Sequence, residues 1–175
     1  MLMLSGNWMI IDIETTGTEA DASTLVAIGL LNDEQEKIFF VDRISEEKKA
    51  LMSFLDFMKE KEVTTLIGYN IKNFDIPYLY GKLFIHGINP KAIENYTLID
   101  LYELVKRMRL KKKSLVEISE IAFDKKSEKV KSRFIPLLYM KYLDSRDEIH
   151  KDKIINHLKE DLINTRLLAK RLGII

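Results

Sequence analysis

Trp8-Met9-Ile10-Ile11-Asp12-Ile13-Glu14-Thr15-Thr16-Gly17 is the stretch that decides the fold. Residues 8–13 are apolar at both parities until Asp12, the pattern of a strand covered on both faces, and Thr-Thr-Gly then marks a turn. Side chains two apart on a strand share a face, so Asp12 and Glu14 project together while Ile11 and Ile13 project the other way. Two carboxylates on one small patch repel and raise each other's pKa. A divalent cation between them is the usual solution.

Outward from this strand, residues 24–31 and 37–41 are two further β-like runs joined by the polar turn Asn32-Asp33-Glu34-Gln35-Glu36, which predicts a hairpin. Ser45 followed by Leu51, Met52, Phe54, Leu55 and Met58 predicts a helix with an apolar face and Ser45 as its cap. Residues 63–68 form a fourth strand. Residues 73–86 are a helix with Ile76, Leu79, Tyr80, Leu83 and Phe84 at helical spacing, Pro77 in its first turn and Gly87 as its stop. Leu98-Ile99 is a short fifth strand, and helices follow over 100–110, 115–123, 134–143 and 152–172. This order predicts an α/β mixed sheet, three antiparallel strands and then parallel ones, flanked by helices.

At 175 residues and 20.5 kDa, 46% hydrophobic and 31% charged, the chain suits one folded domain spanning 1–175. It has no cysteine, which excludes a thiolate metal site, a disulfide framework and a cysteine nucleophile, so any metal is held by oxygen or imidazole. No apolar run approaches the roughly 18 residues of a membrane span. The N-terminal Met1-Leu2-Met3-Leu4-Ser5 lacks the basic flank of a secretory signal, so the expected location is cytoplasmic, with no membrane partner. The formal net charge of +1 hides an asymmetry: residues 106–133 carry eleven Lys and Arg against four Asp and Glu. Lys106, Arg107, Arg109, Lys111, Lys112, Lys113, Lys125, Lys126, Lys129, Lys131 and Arg133 could contact a phosphate backbone or be a solvated face.

Two more acids stand where acids need a reason. Asp75 lies at a helix start within Gly68-Tyr69-Asn70-Ile71-Lys72-Asn73-Phe74-Asp75-Ile76-Pro77, where capping alone would explain it. Asp161 sits at the margin of the apolar face traced by Ile154, Leu158, Leu162, Thr165, Leu168, Ala169 and Leu172. His157 precedes it by one helical turn, so the two side chains project from the same side. Asp100, opening a helix, is a further candidate acid that an N-cap explains equally well.

These residues carry a resemblance. Asp12-Ile13-Glu14-Thr15-Thr16-Gly17 resembles the first motif of the DEDD superfamily of 3′–5′ exonucleases. Tyr69-Asn70-Ile71-Lys72-Asn73-Phe74-Asp75-Ile76-Pro77-Tyr78-Leu79 is similar to the second motif, in the version carried by the proofreading domain of family B DNA polymerases and related stand-alone nucleases. His157 and Asp161 fill the third. The family's tyrosine branch has Tyr four residues before the last Asp and its histidine branch has His five before it; this chain has His157 at the first spacing and Asn156 at the second.

The resemblance implies a ribonuclease H-like fold and a two-metal phosphodiester hydrolase. Asp12, Glu14, Asp75 and Asp161 would hold two divalent cations, Mg²⁺ or Mn²⁺, with His157 as candidate general base. Thr15, Thr16, Asn70 and Phe74 would contact the terminal nucleotides. The implied partner is single-stranded nucleic acid, DNA favoured and RNA the competing substrate, guided in by the 106–133 segment. A nucleic-acid-binding or proofreading subunit active only with a partner is the alternative from another class. A chain this short could also gain processivity as a homo-oligomer.

Overall fold

The computed structural model describes residues 7–124 and 131–175. Residues 1–6, on which the expectation about a secretory signal rests, and Lys125, Lys126 and Lys129 of the basic run lie outside the described residues.

Five strands form one mixed sheet in the order β3-β2-β1-β4-β5. β1 (Trp8–Thr15) lies at its centre, antiparallel to β2 (Leu25–Leu31) and parallel to β4 (Thr65–Gly68). β3 (Glu36–Phe40) continues the antiparallel side and β5 (Thr97–Asp100) the parallel side. The Asn32 side chain closes the hairpin turn by accepting from the Glu34 and Gln35 amides. β1 runs two residues past the expected strand because Glu14 and Thr15 still pair with Ala27 and Leu25, across a register shift. Such irregularities re-aim side chains beside functional sites.

Strand parity divides the core. Met9, Ile11 and Ile13 face α1 (Glu47–Glu60) and α2 (Asp75–Ile85), packing with Leu51, Phe54, Leu79 and Leu83. Ile10 faces α3 (Leu101–Arg107), α4 (Leu115–Phe123) and α6 (Glu148–Arg171), packing with Leu101, Ile118, Leu158 and Leu162. α5 (Ile135–Ser145) lies beside α6, where Tyr139 and Tyr142 close a third cluster with Val26 and Ile154. Asp12 and Glu14 share the parity of Ile10 and so face α6.

Several local expectations are corrected. Ser45 is not a cap: it lies inside a 3-10 turn, Ile44–Glu46, that runs into α1, and no side chain caps either start. A cap residue must keep extended backbone, and Arg43 has that conformation. Met52, Tyr80 and Phe84 are exposed, each about 100° around its helix from the buried Leu51, Leu79 or Leu83. α6 begins at Glu148, before the expected 152, because the Asp147 carboxylate accepts from the Ile149 amide. Asp100 is the N-cap of α3, accepting from the Tyr102 amide.

Two glycines permit the close approaches that assemble the site. A Cβ on Gly29 of β2 would meet Leu162 Cδ1 at 2.7 Å and Leu158 Cγ at 3.0 Å, so its absence lets α6 settle onto the sheet opposite Asp12. A Cβ on Gly68, at the end of β4, would meet Ile71 Cγ2 at 2.2 Å and the Ile11 carbonyl at 2.9 Å. The turn after β4 therefore folds back tightly against β1.

Candidate active site

The parallel strands β1, β4 and β5 end on the same side of the sheet, where open α/β sheets form ligand crevices. A cavity of about 380 Å³ lies there. Its walls include all four expected acids: Asp12 and Glu14 from β1, Asp75 from the first turn of α2 and Asp161 from the middle of α6. Thr15, Thr16, Asn70 and Phe74 line it as well, so eight of the nine expected site residues meet at one place.

The ninth, His157, is not a wall residue. Its ring is buried behind the acids, with Nδ1 3.3 Å from Asp161 Oδ2 and 3.9 Å from Glu14 Oε1, neither aligned as a hydrogen bond. Its Nε2 lies 3.1 Å from Ser132 Oγ, and Ser132 does line the cavity. Carboxylates only accept, so the N–H of a neutral ring belongs on Nδ1; Nε2 is then left to accept from the serine hydroxyl.

Asp75 is fixed by geometry: its Oδ1 accepts from the Ile13 amide at 3.2 Å, tying the start of α2 to β1. Burial pushes this carboxyl up to about 7, only partly opposed by the backbone hydrogen bonds it accepts and assisted by the nearby charge of Asp100. Among the described residues no cation offsets that burial. Glu14, His157 and Asp161 present ligand atoms within 4.8 Å of one another. Four carboxylates around one cavity, with an imidazole behind, form a hard, oxygen-rich donor set able to hold divalent cations.

The rim is held rigidly. Thr16 exchanges two bonds with Thr24, its amide donating to the Thr24 carbonyl and its hydroxyl accepting from the Thr24 amide. The Thr15 hydroxyl donates to the Gly17 carbonyl. Both hydroxyls thus serve the turn, and the Thr16 hydroxyl, which only accepts there, keeps its own hydrogen to donate. Phe74 packs partly against the apolar core and stands 5.8 Å from Tyr78, centroid to centroid, while still lining the cavity. It is both core and wall.

Asn70 has a left-handed backbone, φ +65°, and is held there from outside. Buried Asp100 accepts from the amides of Asn70 (2.8 Å) and Lys72 (3.1 Å) in addition to capping α3. It does not reach the cavity but positions the turn that does. Sequence reasoning missed this and Ser132, and it named Arg133 only as one cation of the basic run, not as a wall of this cavity. No local signal separates those two from their lysine-rich neighbours.

Comparison with known proteins agrees with this architecture. A family model described as the RNase_H superfamily matches residues 9–173. An uncharacterized protein of Methanocaldococcus jannaschii is 30% identical over 166 residues, which cover 92% of this chain and 92% of that protein. A DNA polymerase of Archaeoglobus fulgidus is 25% identical over 171 residues, 88% of this chain and only 21% of the polymerase. The structure of a family B DNA polymerase from Pyrobaculum calidifontis superposes with a TM-score of 0.82 at 20% identity, over 97% of this chain and 25% of the polymerase, a likeness of fold.

Proposed function

The chain belongs to the RNase H superfamily, and from that premise we propose that it is a metal-dependent 3′–5′ exonuclease. Its substrate on this reading is single-stranded DNA, trimmed from the 3′ end to nucleoside 5′-monophosphates. One observation carries the reading: four carboxylates from three distant stretches of chain, residues 12–14, 75 and 161, line the same cavity as Asn70 and Phe74.

Asp12, Glu14, Asp75 and Asp161 would hold two divalent cations. Such ions, when bound, generate hydroxide from water at neutral pH and stabilise charge on the reacting phosphate. The chain's own groups do the rest. The backbone after β1 and the Asn70 turn seat the terminal nucleotide, and the Phe74 ring offers its base a flat apolar surface. Arg133 supplies a cation at a rim otherwise dominated by acids, suited to a substrate phosphate. A proton released in the cavity reaches His157 Nε2 through the Ser132 hydroxyl, and the charge of the resulting imidazolium lies near the Asp161 and Glu14 carboxylates, 3.3 and 3.9 Å from Nδ1. His157 acts as base through Ser132, not by touching the substrate.

The test is product analysis on DNA and RNA single strands of one sequence with Mg²⁺, Mn²⁺ or EDTA. Nucleoside 5′-monophosphates are expected from DNA with either metal and none with EDTA. Faster release from RNA would make the protein an exoribonuclease, and release of 3′-monophosphates would overturn the mechanism.

A further inference from the structure

A second cavity, of about 410 Å³, adjoins the acidic one and shares two of its walls, Tyr69 and Asn70. Its other walls are Tyr102 of α3 and the residues Lys113, Ser114 and Leu115 at the start of α4. Its size falls within the usual range of small-ligand sites. Nothing in the proposed hydrolysis uses it.

The cavity is built from fixed parts. The Tyr69 ring meets the Tyr102 ring edge to face, with centroids 5.6 Å apart, and the Tyr69 hydroxyl donates to the Lys113 carbonyl. That bond pins the loop before α4, and the Ser114–Glu117 capping box pins it from the other side. Asn70, the sill between the two cavities, is locked by Asp100, whose carboxylate also caps the helix that presents Tyr102. One side of this aromatic wall is acidic, with Asp100 and Glu117 near Tyr69, while cations stand on its solvent side. Residues 106–113 hold six cations, Lys106, Arg107, Arg109, Lys111, Lys112 and Lys113, and no acid. The Lys106 ammonium stands 5.6 Å from the centre of the Tyr102 ring.

Aromatic faces interleaved with cations, continuous with a cavity that takes a strand's end, are what an unpaired nucleic-acid strand requires. We propose that the second cavity is the subsite for an upstream nucleotide of the single strand. The base packs against the Tyr69–Tyr102 pair and the adjoining phosphates lie along Lys106 and Lys113. The subsite rests on the nuclease reading for its strand polarity, but not for its chemistry. It also divides the basic run into two functions: 106–113 holds the strand upstream, and Arg133 serves the acidic cavity.

The experiment measures anisotropy of a 5′-labelled thymidine decamer and a labelled thymidine dinucleotide in Ca²⁺. In parallel, hydrolysis of the decamer is compared with that of a thymidine 5′-monophosphate nitrophenyl ester in Mn²⁺. Tyr102→Ala should lower the ratio of decamer to dinucleotide affinity about tenfold, the loss of roughly one stacked base. It should also lower the ratio of decamer to ester kcat/KM to a similar degree, and Tyr102→Phe should restore both. Lys106→Glu, at an exposed position, should lower the same ratios, which keeps the test alive if Tyr102→Ala fails to fold. Equal losses for long and short ligands, or no loss, overturn the subsite while leaving the nuclease intact. Selective loss of decamer binding in a protein that hydrolyses nothing supports the subsite and overturns the nuclease. A wild-type protein that binds no single strand overturns both.

Discussion

Among single residues, the most informative is Asp75. Burial lifts its carboxyl from 3.8 to about 7, so the folded protein holds this proton more tightly than the unfolded chain does. The stability linked to it is complete below about pH 4 and lost as pH rises through 7. The metal-free protein should therefore show a Tm that falls between about pH 5 and pH 7 and levels off above it, and Asp75→Asn should flatten that fall; thermal unfolding in EDTA measures both. Added Mn²⁺ should raise Tm more at pH 8 than at pH 6, because the cation replaces the proton. Asp100 has a different task. With three backbone amides on one carboxylate, Asp100→Ala should cost about 2–4 kcal/mol by urea unfolding. At this scale Asp12, Glu14 and Asp161 stood out because strand parity and a helix margin are local signals, whereas Asp75 became a candidate only through the resemblance of its motif. Ser132, the placing of Arg133 at the acidic cavity and the wider reach of Asp100 were not legible, since each depends on distant segments meeting.

Elements place these residues, and their packing is tight where it matters. α6 carries His157 and Asp161 onto the sheet over Gly29, so Gly29→Ala must push Leu158 and Leu162 away. It should cost about 1–3 kcal/mol and lower activity by more than the unfolded fraction accounts for, measured as kcat on protein shown by circular dichroism to be folded. Gly68→Ala meets the backbone of Ile11 as well as Ile71 and should be the more severe of the two. Among the described residues the strands were read from short apolar runs bounded by turn residues, whereas the helices were recognisable from period 3.6. Helix starts were less so. Ser45 looks like a cap in sequence, yet the chain turns helical before it, whereas Asp147 caps α6 without any pattern that sets it apart.

Across the whole molecule, the division of charge matters more than its sum. A net charge of +1 conceals a basic run beside an acidic remainder, and the described part of that run flanks both cavities. Binding of single strands should therefore weaken steeply with salt; the slope of log Kd against log salt should shrink by about 1 for Lys113→Ala. No helix among the described residues is long and apolar enough to cross a membrane. Removal of nucleotides from a 3′ end by the acidic cavity is read out by a time course on 5′-labelled single-stranded DNA in Mn²⁺, beside Asp12→Ala. If Lewis-acid stabilisation contributes several kcal/mol, losing a ligand should slow hydrolysis about 10³-fold. The wild-type protein should give a ladder of products shortening from the 3′ end, and Asp12→Ala almost none. Labelled DNA that is bound but stays intact, or an equal ladder from the variant, would contradict that role of the cavity.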